Sequence, residues 1–193
     1  MSPADGIEHV TGRLVEALDA AAIPYFVMGG LAVTIWGLPR ATFDLDLTLL
    51  LPVERTPALI AAVEAAGFEV DAPLRAGYRD VLAGMEKSSL AWTTAEGVRV
   101  EVDLFFVTTA FQEAAFARRV RVPFVGGRTL WVVTPADLIL FKLLAGRAKD
   151  LADVQNLLAV QGAPEPGHLR GWAERLGVTA RLEAALVEAG LTT

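Results

Sequence analysis

The 193-residue chain predicts an α/β (α+β) fold, a mixed β-sheet flanked by helices and followed by a C-terminal helical tail. Three observations lead there. Short apolar runs of strand character alternate with helix-period segments early in the chain. Two glycine-containing hairpins in the middle place antiparallel pairs in the sheet. From Pro135 onward every periodic stretch has helical spacing. We divide the chain accordingly into an α/β core over 1–134 and a helical segment over 135–193 packed on that core.

Each element has a local reason. Val10, Leu14, Leu18 and Ala21 recur at helical intervals between Ile7 and Ala22, and Pro24 ends the pattern before the strand-like Tyr25-Phe26-Val27-Met28. Gly29-Gly30 opens a short helix through Trp36. Gly37 and Pro39 break it, and Asp44 to Leu51 alternates as a strand, which gives a βαβ-like start. Pro57 to Ala66 is helical, whereas Asp71 to Gly84 carries no clear period. Ser88 to Thr94 and Val98 to Val107 read as a hairpin turned at Ala95-Glu96-Gly97. A helix from Thr109 to Arg119 precedes a second hairpin, Val120 to Val125 with Thr129 to Val133, turned at Gly126-Gly127. The helical tail is interrupted over Gly162 to Gly167.

Composition excludes several function classes. At 53% hydrophobic residues the chain can bury a full core. A net charge of −6 and a pI near 5.0 argue against a protein that coats nucleic acid electrostatically, so any such contact would be local. With no cysteine, zinc–thiolate sites, disulfides and cysteine nucleophiles are absent. The start MSPADGIEHV lacks a signal-peptide pattern and no apolar run reaches the ~20 residues of a membrane span, so the expectation is a soluble, cytoplasmic protein without a membrane partner.

Two aspartates, Asp44 and Asp46, interrupt an apolar run. Successive strand side chains point to opposite faces, so Leu45, Leu47 and Leu49 share one face while Asp44, Asp46 and Thr48 share the other. Two carboxylates that close would repel, and one would take up a proton unless a cation neutralised both. A divalent ion such as Mg²⁺, which favours carboxylate oxygens, is the obvious cation, and two aspartates make half a site. The strand around Val98 to Phe106 offers a third carboxylate. Val98, Val100, Val102, Leu104 and Phe106 form its core face, leaving Asp103 opposite, with Glu101 and Arg99 behind it. Asp103 lies deepest in the apolar run and is the better ligand candidate. Glu101, which could simply pair with Arg99 on a solvated face, is the alternative.

Gly29-Gly30 supplies a complementary half. A helix beginning there directs unpaired backbone N–H groups and its positive dipole end at whatever lies above the turn, and glycine lets an anion approach the backbone closely. The same pair would also serve as a plain tight turn.

Together, Gly29-Gly30, the stretch Arg40-Ala41-Thr42-Phe43-Asp44-Leu45-Asp46 and the later Asp103 resemble the DNA polymerase beta-type nucleotidyltransferases. The R-x-T-x-D-x-D form is similar to the subgroup of small bacterial enzymes related to AbiEii-type toxins. The resemblance covers roughly 25–50, 98–106 and, more loosely, 138–158. It implies a nucleotidyltransferase fold and two Mg²⁺ ions, with Mn²⁺ as a substitute. By position, Asp44 and Asp46 would bind both ions, and Asp103 would serve the catalytic one and draw the acceptor's proton. Gly29, Gly30, Arg40 and Thr42 would belong to the nucleotide site. The partners implied are a nucleoside triphosphate, an acceptor that is tRNA, a protein or a small molecule, and a cognate antitoxin. Many relatives carry serine at the second turn position, whereas Gly30 offers only its N–H.

Lys87, Lys142 and Lys149 are the only lysines, and two fall in Phe141 to Asp153. Similar K-x(n)-R-x-K-D-x-x-D stretches follow the core in the toxin-related subgroup, which implies that Lys142 and Lys149 meet phosphates or acceptor. Alternatively, Gly146 marks an ordinary helix junction and Lys149 with Asp153 makes a surface pair. Asp44-Leu45-Asp46-Leu47-Thr48 also matches the D-x-D-x-T of haloacid dehalogenase-like phosphatases. That chemistry needs an apolar strand leading into the first aspartate, and here the apolar residues follow. A non-catalytic nucleotide-binding partner subunit is the third reading, and the three intact aspartates argue against it.

Overall fold

The structure is a computed structural model that describes residues 3–82, 84–94 and 97–191. It opens with α1 (Pro3–Ala20), whose buried stripe Ile7, Val10, Leu14 and Leu18 repeats at helical spacing. β1 (Tyr25–Met28) follows, with all four residues buried, as expected of a strand covered on both faces. Then come α2 (Gly29–Trp36), β2 (Asp44–Leu49), a 3₁₀ turn at Val53–Arg55, α3 (Thr56–Ala65), β3 (Glu69–Val70), α4 (Ala72–Arg75) and β4 (Asp80–Leu82). The long hairpin is β5 (Met85–Thr93) with β6 (Arg99–Phe106). Ala95 and Glu96 of its expected turn lie outside the described residues.

α5 (Ala110–Arg118) is capped by Thr109 and Gln112 in a capping box. It leads into β7 (Val120–Pro123) and β8 (Thr129–Val132), joined through Gly126 and Gly127, both at positive φ. The tail is helical, as its spacing predicts: α6 (Pro135–Ala145), α7 (Ala148–Gln161), α8 (Pro166–Arg175) and α9 (Thr179–Glu188). Among the described residues no helix is long and apolar enough to cross a membrane.

The strands form one mixed sheet in the order β3-β5-β6-β2-β1-β8-β7, with β4 paired to β5. β2 runs parallel to β6, and β1 parallel to β8; the remaining pairs are antiparallel. The βαβ-like start is therefore corrected in direction, because β1 and β2 are adjacent but antiparallel. The chain between them is an eight-residue helix and a loop that doubles back, so β2 returns beside β1 in the opposite sense.

Phe26 of β1 packs on Phe116 of α5 and Phe141 of α6, with ring centroids 5.8 and 6.2 Å apart, which seats α5 and α6 on one face of the sheet. The segment without a sequence period resolves into short pieces tied to β5. Asp71 caps α4 through Leu74 N and accepts a second bond from Ser89 N, while β4 is exposed along its whole length. A four-residue helix and an exposed three-residue strand are too short to show a period.

Candidate active site

The parallel pairing of β2 with β6 sets Asp46 directly beside Asp103 and Asp44 beside Glu101. Neighbouring strands lie about 4.8 Å apart, so the carboxylates at 44, 46 and 103 share one face within two strands. On the other side, Met28 of β1 is the partner of Asp46, which brings Gly29 against the same carboxylate. Asp44 is the first residue of β2, so the aspartates open the strand, opposite to the arrangement an aspartyl phosphatase requires. Further along the aspartate face, Thr48 is fully buried and donates to Met28 Sδ at 3.1 Å. The polar side is therefore confined to the start of the strand.

Each aspartate has a different environment. Burial, reinforced by the Asp44 and Asp103 charges, pushes Asp46 up to about 6, while Lys142 and Lys149 pull it the other way. Asp44 Oδ1 accepts from Thr42 Oγ1 at 2.8 Å. Asp103 is held on both oxygens: Lys87 Nζ lies 2.7 Å from Oδ2 and Ser89 Oγ donates to Oδ1 at 3.0 Å. Glu101 bonds Arg99 at 2.7 Å, both more than half exposed, and Arg99 continues to Glu69, so the alternative ligand sits in a surface ladder. Val98, expected on the core face, is 50% exposed. It precedes β6, outside the ladder that buries Val100 and Val102.

Among the described residues no group of three or more Asp, Glu or His side chains is gathered closely enough to hold a metal ion as it stands. Two of the three aspartates already have partners, Asp44 in Thr42 and Asp103 in Lys87 and Ser89. The donor set nevertheless fits a hard divalent cation: three carboxylates on one face, one of them driven toward protonation by burial and then by the other two, and an ammonium already drawn in as counter-ion.

Both glycines are required by side chains rather than by the turn alone. Gly29 has φ +63°, and a Cβ there would run into the Asp46 carboxylate. A Cβ on Gly30 would overlap Thr42, coming within 2.9 Å of its Cβ. The space beside Gly30 is thus filled by the residue that fixes Asp44, while the Gly29 and Gly30 N–H groups still open α2.

The loop from Trp36 to Thr42 is anchored by α7. Arg40 Nε and Nη2 bond the two oxygens of Asp153 at 2.7 and 2.9 Å, a two-pronged pair. Asn156 accepts from Leu38 N and donates to Leu38 O, and Gln161 donates to Trp36 O. Lys142 Nζ reaches Asp153 Oδ2 at 2.8 Å and Asp150 Oδ1 at 3.2 Å, and Arg147 Nε lies 2.6 Å from Asp150 Oδ2. Burial acts to raise both carboxyls, but their cations override it and hold them below the ordinary range. The alternative of a surface pair between Lys149 and Asp153 is therefore not formed. Asp153 is buried and taken by Arg40 and Lys142, and Lys149 is exposed, with no ion pair among the described residues.

A cavity of about 120 Å³ opens beside Asp46 and Gly29, between β1, β6 and α6. Met28, Phe105, Leu138 and Phe141 form its apolar wall, and Lys142 and Asp150 its polar edge. Of the expected site residues, Asp46, Gly29 and Lys142 line this cavity. Asp44, Asp103, Gly30, Arg40 and Thr42 are linked to it by direct contact or strand pairing, and Lys149 is reached only through its charge on Asp46.

Sequence reasoning assigned no role to Ser89, Asp150, Arg147 or the Lys87 contact. A hairpin centred on position 96 already places Ser89 opposite Asp103 and Lys87 one diagonal step away, which was the available signal. His168 bonds Asp137 at 2.7 Å, away from the aspartates, and Trp172 packs on Phe111.

The family model described as nucleotidyl transferase AbiEii toxin, type IV TA system, matches residues 13–185. No curated protein matches the chain. Among solved structures, an antigenic nucleotidyltransferase-like protein from Paracoccidioides brasiliensis aligns with TM-score 0.54 and 18% identity over 93% of this chain and 92% of that one. JHP933 from Helicobacter pylori aligns with TM-score 0.53 and 17% identity over 98% and 90%. ANT(2")-Ia in complex with adenylyl-2"-tobramycin aligns with TM-score 0.55 and 16% identity over 93% and 98%. At these identities the likeness establishes the shared fold. With the family model spanning most of its length, the chain belongs to the AbiEii nucleotidyltransferase toxin family and is a nucleotidyltransferase.

Proposed function

We propose that this enzyme moves a nucleoside monophosphate from a nucleoside triphosphate to an acceptor hydroxyl and acts as the toxin of a toxin–antitoxin pair. The observation that carries this reading is the parallel register of Asp46 with Asp103 beside the Gly29 turn. Asp44 and Asp46, with Asp103, would hold Mg²⁺, two ions by the family resemblance, with Mn²⁺ able to replace it. A bound divalent ion neutralises the triphosphate and makes its α-phosphorus more electrophilic.

The chain's own residues do the rest. The Gly29 and Gly30 N–H groups at the start of α2 receive phosphate oxygens. Lys142 uses two of its three donors on Asp150 and Asp153 and has one left for a phosphate facing the cavity. Lys149 meets the outer phosphates or the acceptor from the surface. Arg40 and Thr42 act on the nucleotide site by fixing the loop and the Asp44 carboxylate. In the transfer itself the acceptor oxygen bonds to the α-phosphorus, the bond to the bridging oxygen breaks, and pyrophosphate leaves with the electron pair. The acceptor's proton passes to Asp103.

Residues 1–134 supply the chemistry in this reading and 135–193 the cationic wall, in a cytoplasmic setting where a cognate antitoxin would be met. The adenylylated tobramycin bound to ANT(2")-Ia makes a small-molecule hydroxyl one acceptor class to test beside tRNA and protein. The experiment is incubation with each labelled nucleoside triphosphate and Mg²⁺ in cell extract, sorting the product into protein, RNA and small molecule. Metal-dependent pyrophosphate release with label in one fraction is the expected result. Nucleotide binding without release would make the chain a non-catalytic binder, and phosphate release from phosphomonoesters would restore the phosphatase.

A further inference from the structure

Asp103 differs from the other two aspartates in already having a cation. Ser89 is its cross-strand partner, and Lys87, two residues back on β5, lies on the same face one diagonal step away, a separation a lysine spans. The ammonium is 2.7 Å from Oδ2, and the Ser89 hydroxyl fixes Oδ1 from the same strand. Both charged side chains are about a quarter exposed, 23% and 24%, so the pair is neither sealed in the core nor fully in water. Lysine is a compact charge on a flexible stem and, unlike a two-pronged arginine, gives up a carboxylate oxygen easily. Among the described residues Asp44 and Asp46 have no such ammonium: Asp44 is held by a hydroxyl, and Asp46 feels Lys142 only at a distance. Asp103 thus faces β5 while its register neighbour Asp46 faces the cavity, and the three carboxylates are not gathered around one point.

We propose that Lys87 is the resident counter-ion of Asp103, a positioning residue whose ammonium holds the third carboxylate out of the ligand set until a divalent ion displaces it. Asp103 then joins Asp44 and Asp46 only in the loaded site, and the freed ammonium swings on its stem toward solvent. This inference rests on the metal-site reading given above and adds a competitor built into the chain. Without the lysine the free carboxylate is available to the ion from the outset. With arginine in its place the hold is firmer.

The test uses Mn²⁺ as probe, its free concentration read by electron paramagnetic resonance on the purified full chain, with folding followed by thermal melting. Wild-type binding that is lost in Asp46→Asn establishes the metal site independently. Lys87→Met and Lys87→Gln should then bind Mn²⁺ about two- to fivefold more tightly than wild type, the scale of a partly exposed ion pair, and Lys87→Arg no more tightly. In an Asp103→Asn background the gain from Lys87→Met should vanish, because the lysine acts through that carboxylate. Unchanged affinity in both neutral variants, or a gain that persists undiminished in Asp103→Asn, overturns the role of Lys87 while leaving the metal site standing. Absence of Mn²⁺ binding by the wild type, with nucleotide present, overturns both.

Discussion

Arg40 and Asp153, 113 residues apart in the chain, meet side-on through two hydrogen bonds of 2.7 and 2.9 Å. One is in the loop that delivers Asp44 to β2, the other on the buried face of α7, where Lys142 shares the same carboxylate. The pair ties the aspartate strand to the C-terminal helices, so the position of Asp44 depends on a helix far along the sequence.

Asp153→Ala removes the anion between Arg40 and Lys142 and leaves the buried Lys142 with Asp150 alone. Breaking a buried pair from one side costs roughly 3–5 kcal/mol, and the partial exposure of Arg40 and the remaining Asp150 contact put the expected loss at about 2–3 kcal/mol. Transfer activity should fall with it as the loop loosens. Urea unfolding beside a pyrophosphate-release assay checks both, and a variant as stable as wild type would mean that the network does not hold the loop.

Asp46→Asn should behave in the opposite way, with less than about a tenth of wild-type turnover and no loss of stability. Because the fold raises this carboxyl to about 6, the native state binds the proton more tightly than the unfolded chain does. The stability from this group is therefore fully present below the unfolded value near 4 and is lost as pH rises through about 6. Above that the wild-type metal-free protein should be less stable than Asp46→Asn by roughly 1–3 kcal/mol, with the gap closing toward pH 4. Metal binding needs the ionised form and should strengthen over the same interval. Melting curves of both proteins from pH 4 to 8, with and without Mn²⁺, read both trends; a gap independent of pH would refute the assignment of the strain to Asp46.

Gly30→Val is expected to weaken nucleotide binding, but by a route that includes the aspartates. The new side chain must displace Thr42, which holds Asp44 Oδ1. Thr42→Val keeps the volume and removes only the hydroxyl's bonds to Asp44, at Oδ1 and at the backbone carbonyl, so it should lower transfer severalfold at a stability cost of about 1 kcal/mol. Nucleotide affinity measured by calorimetry for the two variants separates the effects. Normal affinity and normal transfer in Gly30→Val would reduce the glycine pair to a plain turn.

Lys142 and Lys149, although seven positions apart, should give different phenotypes. Lys142→Ala leaves Asp150 and Asp153 short of a buried partner and should lower both melting temperature and transfer. Lys149→Ala removes an exposed charge and should lower transfer while changing stability by less than about 0.5 kcal/mol. Equal transfer by Lys149→Ala and wild type would confine the cationic wall to Lys142 and Arg147.

Much of this site was legible in the sequence, because the deciding rules are local. The pleat alternates with period two, so Asp44 and Asp46 had to share a face, and Asp103 had to lie opposite Val102 and Leu104, whatever the rest of the chain did. The helical tail, the Gly29 turn and the second hairpin followed from periodicity and backbone freedom in the same way. Only the tertiary structure decided that β2 and β6 are parallel neighbours in a register that sets Asp46 beside Asp103, since strand order depends on packing between distant segments. It also decided who neutralises whom. An i,i+4 rule offers Lys149 to Asp153, but burial of that carboxylate favours the cations that can reach it in the interior, and these are Arg40 and Lys142.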